Sequence, residues 1–149
     1  MFRGQFTHSI DAKGRVSVPA RFRDGLLAGG CTQFVITPDL FDPCLQLYPM
    51  RAWEEFEEQI ASLPRFDPNV VRFQRLHVSA AVECELDRAG RLLVPPHLRE
   101  RAGLEREVLF AGTGRKIELW SKARWDAAVA MAPDEFEAFK KAVMEQVRI

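Results

Sequence analysis

The sequence predicts an α+β fold made of two related halves, residues 1–78 and 79–149, joined into one integrated pseudo-symmetric unit. Three observations carry that expectation: a ten-residue phrase that occurs twice, strand-like alternation beside each copy, and amphipathic helical stripes after each copy.

The phrase is Ile10-Asp11-Ala12-Lys13-Gly14-Arg15-Val16-Ser17-Val18-Pro19, echoed by Leu86-Asp87-Arg88-Ala89-Gly90-Arg91-Leu92-Leu93-Val94-Pro95. Val16 and Val18 flank Ser17 with the period of a half-buried strand. Pro19 and Pro95 suit the first turn of a short helix, where a missing N–H is no loss. A basic stretch follows each proline, Ala20-Arg21-Phe22-Arg23 and Pro96-His97-Leu98-Arg99. Two strands are expected next in each half, Phe34 to Thr37 with Cys44 to Tyr48, and Val108 to Ala111 with Lys116 to Trp120. Between the last two, Gly112-Thr113-Gly114-Arg115 lacks the Gly-Lys-Ser ending of a phosphate loop and reads as a hairpin turn. Longer helices close each half. Trp53, Phe56, Ile60 and Leu63 share one face, as do Trp125, Ala128, Val129 and Ala132, and then Phe136, Phe139, Val143 and Val147. These stripes are expected in the core or at subunit contacts. Pro64-Arg65-Phe66-Asp67-Pro68 and Ala132-Pro133-Asp134 break the helices, and the halves meet near His77 to Ala80 without a flexible linker.

A chain of 149 residues, 47% hydrophobic, can bury its own core. Cys31, Cys44 and Cys84 stand far apart with no CxxC pair, so buried free thiols in a reducing cytosol are expected rather than disulfides or a zinc ribbon. Met1-Phe2-Arg3-Gly4 does not read as a leader, and no apolar run approaches the roughly 20 residues of a membrane span, so a soluble, unprocessed, cytoplasmic protein is expected. Net charge is zero but unevenly spread. Arg3, Lys13, Arg15, Arg21 and Arg23 crowd the N-terminal stretch against Asp11, whereas Glu54, Glu55, Glu57 and Glu58 load a later helix. A nucleic-acid binder needs only one basic face, although charges alone would equally describe a solvated mixed surface.

The loops carry the chemistry. Gly14 and Gly90 let the backbone take a positive φ and turn tightly, which directs the neighbouring long side chains outward. Asp11 and Asp87, four residues before Arg15 and Arg91, can accept a guanidinium or cap loop amides, and are expected to structure the turns together with those glycines. The arginines either pin their own hairpins or, helped by Lys13 and Arg88, reach guanine O6 and N7 or backbone phosphate in double-stranded DNA. One bidentate base contact gives about 1–3 kcal/mol of discrimination, whereas specific recognition takes about 4–10 kcal/mol. Several loops must therefore act together, which predicts a homo-oligomer on short repeated sites.

An enzyme reading would take Asp11 and Asp87 as a carboxylate dyad sharing a proton, but an arginine follows each at four residues and would hold it ionised. His8, His77 and His97 lack metal-ligand spacing, and no serine or cysteine sits beside a base. No catalytic residue, metal site, cofactor or small-molecule substrate is expected.

The N-terminal Met1-Phe2-Arg3-Gly4, the Asp11 to Arg15 loop running to Pro19, the second Asp87 to Arg91 loop and the paired Trp53 and Trp125 together resemble the MraZ family over almost the whole chain. That family is similar in fold to the AbrB and SpoVT regulators. The resemblance implies a swapped-hairpin β-barrel with flanking helices, assembled from two halves of one chain. It further implies a nucleoid-associated ring of protomers that binds G-rich direct repeats and represses the division and cell-wall gene cluster, its own gene included. Carried onto this sequence, DNA contact falls on Arg15 and Arg91, with Lys13 and Arg88 as secondary contacts. Ala89 replaces the lysine of the first loop, so the two loops are expected to contribute unequally. An antitoxin-like relative of this fold would instead offer its basic loops to an acidic protein, usually with a disordered tail, whereas both halves here read as folded to within a residue or two of Ile149.

Overall fold

Both halves follow one element order, as the internal repeat requires. The computed structural model describes residues 1–149. Its first half contains β1 (Phe2–Ser9), β2 (Arg15–Ser17), α1 (Ala20–Leu26), β3 (Gln33–Pro38), β4 (Leu45–Pro49), α2 (Met50–Ala61) and α3 (Pro68–Phe73). The second repeats that order as β5 (Val82–Glu85), β6 (Arg91–Leu93), α4 (Pro96–Ala102), β7 (Glu107–Gly114), β8 (Ile117–Ser121), α5 (Lys122–Val129) and α6 (Pro133–Gln146). Pro19 and Pro95 stand at the N-caps of α1 and α4. The Asp67 carboxylate caps α3 by accepting the Asn69 amide at 2.8 Å. A π-helical turn over Gln74–Val78 marks the join between the halves.

The six-stranded antiparallel sheet runs β1-β7-β8-β4-β3-β5. It is palindromic with respect to the halves: β4 and β8 pair at the centre, with Gln46 opposite Glu118, and each half sends its first strand to the other. Thus β1 pairs with β7, and β5 with β3. The expected hairpin is consequently opened out. Apart from one bridge, Ile10 to Val16, the arms on either side of Asp11 to Arg15 belong to different ladders. Burial explains the separation, because β1 must place Phe2 and Phe6 edge-on against Phe22, with ring centroids 5.8 and 5.2 Å apart. β2 and β6 pair with each other as a separate two-stranded ladder. β1 and β5 remain edge strands, so the ladders form no closed barrel: the three-residue β2 and β6 satisfy one another instead of bridging the two edges.

The main core lies between this ladder, the short helices and one face of the sheet. Val16 and Leu92 at the ladder's centre join Phe22 and Leu26 from α1, Leu98 from α4, and Leu47, Phe110 and Leu119 from the sheet. On the sheet's other face α2 packs Trp53 against Val35 and Tyr48, as its stripe predicts, while Leu63 falls beyond the helix end and is exposed. The corresponding stripes of the second half do not reach a core. No residue of α5 or α6 is buried, although Trp125 meets Trp120 edge-on at 5.7 Å. The cysteines are all free; Cys44 and Cys84 are buried as expected, but Cys31 is only half-buried.

Leu92 is fully buried where the two halves meet, so Leu92→Ala is expected to cost about 2–5 kcal/mol through lost transfer and an unfilled cavity. Urea denaturation followed by circular dichroism measures this, and a cost under about 1 kcal/mol would show that the ladder is not part of the core.

Candidate nucleic-acid interface

Each loop is closed by the same set of bonds. In the first, the Asp11 amide donates to Arg15 O at 2.9 Å and the Gly14 amide to Asp11 O at 3.0 Å. Asp11 Oδ1 accepts the amides of Lys13 and Arg15 at 3.0 and 2.8 Å, and Oδ2 accepts Arg15 Nε at 2.7 Å. In the second, Asp87 Oδ1 accepts the amides of Ala89 and Arg91, both at 2.9 Å, and Oδ2 accepts Arg91 Nε at 2.8 Å. Both aspartates therefore structure their loops, and each also holds its arginine. Because the carboxylate takes only Nε, the Nη groups of Arg15 and Arg91 have no hydrogen-bond partner in the chain. Their side chains stay about one-third exposed, at 35% and 36%. The clamp orients the fork without consuming it.

Cross-half bonds hold the loops together. The Val18 amide donates to Gly90 O at 3.1 Å, and the Val94 amide to Gly14 O at 2.9 Å. In the β2·β6 ladder Arg15 faces Leu93 and Arg91 faces Ser17. Alternation sends Val16 and Leu92 into the core, so both arginines emerge on the opposite, outer face. They form a diagonal pair, for which Cβ separations are somewhat under roughly 7–8 Å. Lys13 and Arg88 are exposed at the loop tips and make no ion pair.

Two further arginines lie against the loops. Arg99 from α4 lies on the first loop, where it donates to Ala12 O at 3.3 Å, and a Cβ at Gly14 would fall 2.7 Å from its Cζ. Arg23 from α1 packs over Gly90, where an added Cβ would clash with its guanidinium. The glycines thus serve two ends: their φ values of 87° and 75° make the turn, and their missing side chains make room for an arginine of the other half. The repeated basic stretch after each proline was the available signal for Arg23 and Arg99. Only the crossing of the halves reveals which loop each one serves.

No proton-sharing dyad forms. Backbone hydrogen bonding by Arg15, then its side chain and charge, holds the Asp11 carboxyl below its ordinary range, and Arg91 does the same for Asp87. A shared proton would instead push one of them up. His97 is exposed, His8 binds the backbone of Ser17, and His77 is buried beside Phe73 with Nδ1 3.1 Å from Pro38 O, where burial lowers its pKa. One group absent from the sequence reading has metal-ligand chemistry: Asp39, Cys44 and Glu118 bring ligand atoms within 4.8 Å of one another. Its carboxylates are already engaged. Asp39 accepts the Gln46 amide and the backbone amides of Phe41 and Asp42, and Glu118 accepts the Trp120 indole at 3.2 Å. Burial and the neighbouring acids push the Cys44 thiol up and Tyr48 up to about 12, so this is a closed polar network under α2.

A family model described as "MraZ protein, putative antitoxin-like" matches residues 1–76 and 78–146. The chain belongs to the MraZ family. The transcriptional regulator MraZ of Moorella thermoacetica is 43% identical over 145 residues, covering 97% of this chain and 98% of that protein. The transcriptional regulator MraZ of Escherichia coli strain K12 is 45% identical over 129 residues, covering 87% and 85%. MraZ is thus a family of transcriptional regulators and not of enzymes, and the two matched stretches meet at residue 77, inside the π-helical turn Gln74–Val78.

The lowered carboxyls fix a pH window. The contribution of each clamp is complete above the unfolded-state value near 3.8 and is lost only as pH falls through the lower folded value. Carboxyl-detected NMR titration should therefore show Asp11 and Asp87 as the low-titrating aspartates, with Asp11 alone moving part of the way upward in Arg15→Ala, since the backbone amide of residue 15 still donates to it. Ordinary titration of both in the unsubstituted protein would contradict the clamp.

Proposed function

We propose that this MraZ-family chain is a sequence-specific double-stranded DNA-binding transcriptional regulator that represses the division and cell-wall gene cluster, its own gene included, by binding G-rich direct repeats. The observation that carries this reading is the pair of clamped arginines on one exposed face, with Nη groups unpartnered and Lys13, Arg88, Arg23 and Arg99 around them. Guanine offers O6 and N7 on one edge, and a guanidinium fork whose Nε is already bound presents its Nη pair to that edge or to a phosphate. Residues 1–78 and 79–149 act as one unit, since neither loop is complete without an arginine and a backbone bond from the other half. Arg15 and Arg91 carry base contact in this reading, and Lys13 and Arg88 carry phosphate.

A single protomer presents only two clamped arginines, about 2–6 kcal/mol at 1–3 kcal/mol each, which reaches only the lower part of the roughly 4–10 kcal/mol that specificity takes. Repeated protomers in a homo-oligomeric ring, on repeated sites, make up the difference. No helix is long and apolar enough to cross a membrane, and association with the nucleoid follows from the proposed ligand.

Fluorescence anisotropy with labelled duplexes, with and without G-rich direct repeats, tests this reading. Arg15→Ala and Arg91→Ala should each lose about 1–3 kcal/mol, roughly 5- to 150-fold, on repeats, while Lys13→Ala should weaken all duplexes alike and reduce the salt slope by about 0.9. Folded variants that bind repeats as well as the unsubstituted protein would remove the arginines from the interface.

A further inference from the structure

The outer face of the β2·β6 ladder is built from four side chains, two from each strand. Arg15 and Ser17 project from β2, and Arg91 and Leu93 from β6, because Val16 and Leu92 between them are buried. The register sets Arg15 directly opposite Leu93, and Ser17 directly opposite Arg91. Ser17 and Leu93 hold equivalent places, each two residues after the arginine of its repeated phrase. Among these four side chains the pseudo-symmetry therefore breaks at one position, with a hydroxyl beside Arg91 and an isobutyl group beside Arg15.

Leu93 is 58% exposed, and no other large exposed apolar side chain belongs to the ladder or its loops. It does not continue into the kind of apolar patch on which a protein partner docks. It suits a small apolar target set among hydrogen-bonding groups. The major groove of DNA admits a two-stranded β-ribbon and offers such a target, the 5-methyl group of thymine. Directly opposite side chains have Cβ atoms about 4.5–5.5 Å apart, and stacked bases rise about 3.4 Å, so Leu93 lies within one or two base steps of whatever Arg15 contacts. The backbone around it is braced: His8 Nδ1 bonds Ser17 O, and the Val94 amide donates to Gly14 O at 2.9 Å. The Ser17 hydroxyl, which has no partner in the chain, can donate or accept and so does not discriminate between bases.

We propose that Leu93 is a specificity-determining residue, packing on the 5-methyl group of a thymine one or two base pairs from the guanine taken by Arg15. Ser17 leaves the equivalent place beside Arg91 without a methyl preference. The inference rests on the proposed DNA reading of the arginines and adds a second base to it. It also gives the interface a direction. A ribbon with exact two-fold symmetry would read a site alike in both orientations, whereas one leucine marks one end, as repeats that all run the same way require.

Selection followed by anisotropy tests it. Duplexes carrying G-rich direct repeats, with the bases flanking each guanine randomised, are bound, recovered and sequenced for the unsubstituted protein and for Leu93→Ser. Serine already stands at the equivalent place in β2 and Leu93 is exposed, so circular dichroism should be unchanged. The unsubstituted protein should enrich a thymine within two base pairs of a guanine, and Leu93→Ser should keep the guanine and lose the thymine. Replacing the enriched thymine by deoxyuridine removes the methyl group alone, without touching the protein. That change should weaken the unsubstituted protein roughly fourfold, the effect of burying one methyl group, and leave Leu93→Ser unaffected. Guanine enriched without thymine, or a methyl effect of equal size in Leu93→Ser, overturns the role of Leu93 and leaves the arginine reading standing. Failure to enrich guanine at all overturns both.

Discussion

A carboxylate that accepts two backbone amides and one guanidinium Nε is the constraint on which the proposed interface depends. Asp11 and Asp87 each make that set of bonds, and it turns a flexible arginine into a fixed fork. Exposed ion pairs typically contribute only about 0–1 kcal/mol, so the effect lies in orientation more than in stability. An arginine side chain carries about 2 kcal/mol of rotamer entropy, and ordering it before binding spares part of that cost at the moment of contact.

The exchange of strands between halves serves the same end. Because β1 and β5 cross over while β2 and β6 pair centrally, the two loops emerge side by side, each braced by a backbone bond and an arginine from the opposite half. Two like charges on adjacent strands would repel if unscreened. The paired aspartates partly neutralise the arginines within the loops, leaving the Nη edges outward and the outer face basic.

Much of this was legible in the residues. The repeat fixed the element order, Pro19 and Pro95 marked the helix starts, and the four-residue spacing of Asp and Arg announced the clamp, because these depend on local chain geometry. What escaped was long-range. Alternation at Val16 and Leu92 shows that β2 and β6 are strands but not that they pair with each other and leave the sheet open at its edges. Arg23 and Arg99 read as a basic helix start, yet each packs on the other half's loop. The stripes of α2 and α6 look alike in sequence, and only the packed structure shows that one is covered and the other bare. Asp39, Cys44 and Glu118 are scattered along the chain and meet only because β4 and β8 pair at the pseudo-axis.

The most direct test of the clamp replaces both aspartates by asparagine. In Asp11→Asn/Asp87→Asn the side-chain oxygen still accepts the two loop amides, but the group facing Nε becomes a donor and the fork is released with its charge intact. Binding to repeat and scrambled duplexes should then show roughly a tenfold or greater loss of preference for the repeat, with the non-specific affinity and salt slope kept or increased. An undiminished preference in the folded variant would contradict the account, because the arginines would then be reading DNA without being held.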